Sequence, residues 1–182
     1  AFLGTFSDRI RAVLERLVHQ GLVQLDSMRA AEGAALERDV LSRLDRMTTL
    51  ADGVARLAGS VPELYRRRLA DRLSELTDGE PPAPVVEPGR LAQEVVYLAA
   101  RSDIAEELTR LQSHLTQAAK LIGEGTEVGK KLDFLLQEMN REANTILSKT
   151  TDVPEVGPEI ARQAIEMKTE IEKLREQAQN VE

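Results

Sequence analysis

The chain has 182 residues, 31 acidic against 24 basic, for a formal net charge of −7, and only 3% are aromatic. That length suffices for one domain or two small helical subdomains, and the acidic balance excludes a binder whose affinity rests on an overall basic footprint. The absence of cysteine excludes disulfides, thiolate zinc sites and cysteine nucleophiles, and it fits a reducing cytoplasm.

Leu, Ala, Glu and Arg prevail, which are strong helix formers. They predict an all-α protein of long antiparallel helices forming hairpins or a bundle, with narrow seams of Leu, Ile, Val and Ala and with exposed seams available for oligomer formation. No apolar run reaches the roughly eighteen residues of a membrane span, and no signal peptide is present. The chain starts at Ala1 without a methionine, as expected for part of a longer protein.

In chain order, Ile10, Val13, Leu14, Leu17, Val18 and Leu25 follow helical spacing. The pattern continues through Leu36, Val40, Leu44, Met47 and Val54, with Gly33 and Gly53 as places for a bend or a division. Pro62 suits the first turn of a helix running to about Leu76. Residues 1–78 are thus expected to be an N-terminal helical hairpin region, and 79–89, rich in proline, a loop. Residues 90–182 form a C-terminal helical domain, with helices expected over Arg90–Ile122, Lys130–Lys149 and Glu159–Gln179.

Two of these helices carry unusual polar rows. Asp103, Glu107, Arg110 and His114 fall within an arc of roughly 60° at about 100° per residue, beside the apolar stripe Ile104, Leu108, Leu111 and Leu115. Two carboxylates and an imidazole bordering a buried face suit a divalent cation; alternatively, His114 acts as an acid or base while Arg110 contacts phosphate. The plainer alternative is a ladder of ion pairs along one helix.

The next helix carries two parallel rows, Asp133, Gln137, Asn140, Asn144 and Glu138, Glu142, Thr145, Lys149. Asn and Thr are poor mid-helix residues, and Glu138 and Glu142 repel at one-turn spacing unless a cation or arginine lies between them. Amides and arginine suit base edges, ribose hydroxyls and phosphates. Here the alternative is a helix–helix seam or subunit interface that satisfies the amides.

The same residues carry a resemblance. Arg90-Leu91, Glu94, Leu98, Arg101, Asp103, Glu106-Glu107-Leu108, Arg110-Leu111 and His114 resemble the first C-terminal signature of the YicC/YloC family. The run from Lys131 to Thr145, followed by Ser148-Lys149, resembles the second, and Ala164 to Glu182 resembles that family's terminus. The resemblance implies a bacterial, cytoplasmic, metal-dependent endoribonuclease that assembles as a homo-oligomer, a hexamer, with a link to stress and small-RNA turnover. It also implies a further N-terminal domain, whose opening motif is not found here. Lys130-Lys131 stands where the family more often has arginine.

RNA cleavage in this setting assigns catalysis to Glu107, Arg110 and His114. Asp103, Glu107, His114, Glu138 and Glu142 become the candidate ligands of a divalent ion, Mn2+ or Mg2+, with Zn2+ as the alternative. Lys130, Lys131, Asn140, Arg141, Asn144 and Lys149 become RNA contacts. If the ribose 2′-hydroxyl is the nucleophile, His114 is its base. The competing class is non-enzymatic, a helical oligomerisation or RNA-clamping module whose chemistry lies elsewhere.

Overall fold

A computed structural model describes residues 2–77, 88–124, 128–153 and 155–179. It contains helices α1 (Phe2–Ala58), α2 (Val61–Thr77), α3 (Pro88–Arg101), α4 (Ala105–Glu124), α5 (Val128–Thr150) and α6 (Gly157–Gln179), and no strand among the described residues. None of these helices is long and apolar enough to cross a membrane. The proline-rich loop expected at 79–89 lies, up to residue 87, outside the described residues.

The chain forms two compact units, Ala1–Leu41 and Ser42–Glu182, so the division falls inside α1 rather than at the proline-rich stretch. The first unit is a helical segment without a return strand of chain. Ile10, Val13, Leu14, Leu17 and Val18 lie along it, solvent-exposed despite their helical spacing. The expected bends do not occur, since α1 runs continuously through both Gly33 and Gly53. A glycine inside a helix costs about 1 kcal/mol without breaking it.

The second unit is a helical bundle. Leu44, Met47, Ala51 and Val54 of α1, Leu111 and Leu115 of α4, Leu136, Met139 and Ile146 of α5, and Ile160, Met167 and Ile171 of α6 are buried. Each fully buried Leu, Ile or Met contributes roughly 1.5–3 kcal/mol. Ion pairs fix antiparallel registers at the seams. Arg43 donates to Glu170 at 2.7 Å and Arg46 pairs with Glu166 where α1 meets α6. Lys168 donates to Asn144 at 2.7 Å and Arg175 to Asp133 at 3.1 Å where α6 meets α5.

The long helix expected over Arg90–Ile122 is two helices. After Arg101 the chain leaves the helix for Ser102, Asp103 and Ile104, and the Asp103 carboxylate accepts a hydrogen bond from the Ala105 amide at 3.0 Å. An aspartate in that position satisfies a helix start, and Glu106 and Glu107 add acidic charge to the first turn, so α4 begins anew. The apolar stripe runs on through the break, which is why spacing alone does not reveal it. α2 packs on α3, where Val61 and Tyr65 form a small second core with Val153 of the α5–α6 turn. That turn is tight: a Cβ at Gly157 would lie 2.8 Å from the Thr150 carbonyl oxygen.

Candidate functional site

Where α4 and α5 meet, four residues of the expected rows come together. Arg110 donates from Nε to Glu142 Oε1 at 2.7 Å and from Nη2 to Glu142 Oε2 at 2.9 Å, a bidentate pair between helices. The same guanidinium reaches Glu107 at 3.2 Å and Glu106 at 2.6 Å on its own helix. Lys149, at the end of α5, donates to Glu107 Oε1 at 3.0 Å and to the Asp103 main-chain oxygen at 2.9 Å. The arginine that Glu138 and Glu142 demand is therefore supplied twice, by Arg110 to Glu142 and by Arg141 to Glu138 at 2.7 Å.

Glu107 is the most buried member of this cluster, its side chain 5% exposed, and its second oxygen, Oε2, has no hydrogen-bond partner. Burial works to raise its carboxyl, but the Lys149 ammonium, main-chain hydrogen bonding and Arg110 together hold it below the ordinary glutamate value. Its hydrogen bonds to Glu142 fix Arg110 as a cation.

The five residues expected to hold a divalent ion are not assembled into a ligand set. Among the described residues no group of three His, Asp or Glu side chains is disposed to hold a metal. The physical reason is that the carboxylates are already matched. Glu142 chelates Arg110, Glu107 is held by Lys149 and Arg110, Glu138 pairs with Arg141, and Asp103 caps α4. Arg110 is likewise spent on three carboxylates rather than open to a phosphate.

His114 is half-buried one turn beyond Arg110, with Nδ1 buried and without a partner. The register set by the Arg110–Glu142 and Glu107–Lys149 pairs brings His114 level with Glu138. The amide row divides: Asn144 and Asp133 face α6, while Asn140 keeps a buried Oδ1 without a partner. Lys130 and Lys131 stand elsewhere, with Lys120 and the exposed Phe134 around an open pocket of about 460 Å3.

The sequence reading missed a second pocket, of about 360 Å3, which shares Lys149 with the ion-pair cluster. Arg68 and Arg72 of α2, Arg101 of α3 and Lys149 of α5 line it, against one carboxylate, Asp152. The buried Tyr65 hydroxyl and Ser102 hydroxyl, 3.0 Å apart, form part of its wall. The signal was present in the run Arg66-Arg67-Arg68, but only the fold sorts it: Arg66 pairs with Glu63 and Arg67 with Glu155, leaving Arg68 to the pocket.

Residues 54–182 match the family described as "Endoribonuclease YicC-like, C-terminal". The chain is 40% identical over 175 residues to a protein named probable endoribonuclease YicC of Clostridioides difficile (strain 630), a match covering 96% of this chain and 57% of that protein. It is 37% identical over 161 residues to the protein of the same name from Haemophilus influenzae, covering 88% and 52%. It is 24% identical over 170 residues to a DegV domain-containing protein YteA of Lactococcus lactis, covering 91% and 56%. The chain thus spans little more than half the length of the curated relatives it matches.

Proposed function

The chain belongs to the YicC-like endoribonuclease family, and from that premise we propose that it is the C-terminal helical part of an RNA-cleaving protein whose reaction centre lies on the α4–α5 seam. The observation that carries this proposal is the placement of the family's signature residues. Glu107, Arg110, Glu142 and Lys149 form one network around a buried carboxylate oxygen that has no partner. A buried acceptor left unsatisfied costs stability, and such a cost is tolerated where a substrate group completes the site.

Arg110 is a positioning residue, since its guanidinium is saturated by carboxylates and ties α4 to α5. Lys149 brings positive charge to the phosphate side, Glu107 Oε2 accepts a ribose or water hydroxyl, and His114 moves the proton. Glu107 and His114 lie two turns apart on one face of α4, about 10.5 Å at 1.5 Å per residue, room for a scissile phosphate between them. Because the expected metal ligands are committed to arginine and lysine, no step runs through a divalent ion.

A homo-oligomer belongs to the same proposal. Its support is the exposed apolar row of the first unit, Ile10 to Met28, which is long for a surface in contact with water. That row also favours a second reading, an assembly and RNA-clamping module.

The two separate in one experiment on the intact protein. With His114→Ala, cleavage of RNA falls about a hundredfold or more while helicity and sedimentation are unchanged. Cleavage at the wild-type rate by the folded variant overturns the catalytic assignment. A loss of assembly or RNA affinity in its place favours the clamping module.

A further inference from the structure

We infer that the pocket between α2, α3 and the end of α5 is a phosphate-binding site for RNA, a contact surface separate from the signature helices. The inference rests on the RNA-cleaving reading for the identity of the ligand, and on the pocket itself for the chemistry.

Four cationic side chains converge there against a single carboxylate, in a chain whose net charge is −7. Arg68, Arg72 and Arg101 form no ion pair among the described residues, whereas their neighbours Arg66 and Arg67 are both matched by glutamates. Like charges gathered without counter-charges repel, so the fold carries a local cost that a bound anion removes. The donors suit phosphate in kind, because guanidinium groups present paired N–H donors to its oxygens and Lys149 adds a point charge.

The rest of the wall fits a nucleotide rather than a bare ion. The volume of about 360 Å3 falls within the range of small-ligand sites, about 300–1,000 Å3. Leu69 and Leu98 supply apolar surface for a sugar or base. The Tyr65–Ser102 hydroxyl pair and Ser148 supply neutral hydrogen-bonding groups. Since Lys149 also holds Glu107, a phosphate seated here lies next to the α4–α5 network, so the pocket orients the strand that the network acts on.

The phosphate is either one inside the strand or one at its end, and the same experiment separates these. Short single-stranded RNAs of one sequence, with a 5′-hydroxyl or a 5′-monophosphate, are titrated into the intact protein and into its Arg72→Ala/Arg101→Ala variant. Both positions are solvent-exposed on helices, so the variant folds, which circular dichroism checks. The expected result is a loss of affinity of about tenfold or more in the variant, together with a weaker salt dependence of binding. If the loss is confined to the 5′-monophosphate RNA, the pocket takes a terminal phosphate; if it is equal for both, an internal one.

Wild-type affinity and salt dependence for both RNAs in the variant overturn the inference. Cleavage of saturating RNA is measured in parallel. Unchanged binding with intact cleavage refutes the pocket alone. Arginine-dependent binding by a wild-type protein that cleaves no RNA refutes the RNA-cleaving reading and leaves the phosphate site standing.

Discussion

At the α1–α6 seam Glu170 is as buried as Glu107 is at the α4–α5 seam, with 3% and 5% of their side chains exposed, but the two carboxylates are finished differently. Glu170 has both oxygens occupied, Oε2 by Arg43 at 2.7 Å and Oε1 by Lys173 at 3.0 Å. Glu107 puts both its cations on Oε1 and leaves Oε2 alone. The two seams share residue types, depth and antiparallel geometry. What separates a structural ion pair from a site here is incomplete satisfaction together with an adjoining cationic pocket, rather than the presence of buried charge.

The largest test of this contrast is Arg110→Met. It leaves Glu107 and Glu142, both largely buried, without the cation that links them, and removing one partner of a buried network costs far more than the network adds. The melting temperature is expected to fall by on the order of 8 °C, read by thermal circular dichroism. Arg43→Met at the other seam is expected to cost about 2–3 °C, because Lys173 still holds Glu170 and Arg46 lies 3.9 Å away. Equal losses at the two seams would erase the distinction drawn between them.

A smaller effect is expected in acid. Burial works to raise the Glu170 carboxyl, but Lys173 and Arg43 hold it below the ordinary value of 4.5, as Lys149 and Arg110 do for Glu107. A folded-state pKa below the unfolded one adds stability that is whole above about pH 4.5 and drains away as pH falls through the folded value. Denaturant unfolding between about pH 5 and pH 3 should therefore show a shallower acid loss for Glu170→Gln than for the wild type.

Much of the fold was legible because helix periodicity and turn residues are local properties. Pro62 marked the start of α2, the stripe Leu132, Leu135, Leu136 and Met139 marked the buried face of α5, and Gly157 marked the turn into α6. The break at Ser102–Ile104 was hidden by an apolar stripe that crosses it, although Asp103 with Glu106 and Glu107 behind it has the chemistry of a helix start. The site was half legible. The repulsion of Glu138 and Glu142 announced that arginine was needed, but a single sequence shows the faces of one helix at a time, so the bidentate Arg110–Glu142 pair could not be read from it. For the same reason Arg68, Arg72 and Arg101, which come from two other helices, were not grouped.

Lys149 belongs to two neighbourhoods at once, the Glu107 carboxylate and the cationic pocket. One ammonium cannot neutralise two anions as fully as it neutralises one. An anion entering the pocket therefore draws on the charge that keeps Glu107 ionised, and the carboxyl becomes easier to protonate at that moment. Ligand capture and proton uptake are in this way written into a single side chain, and the basicity of Glu107 reports on whether the neighbouring pocket is filled.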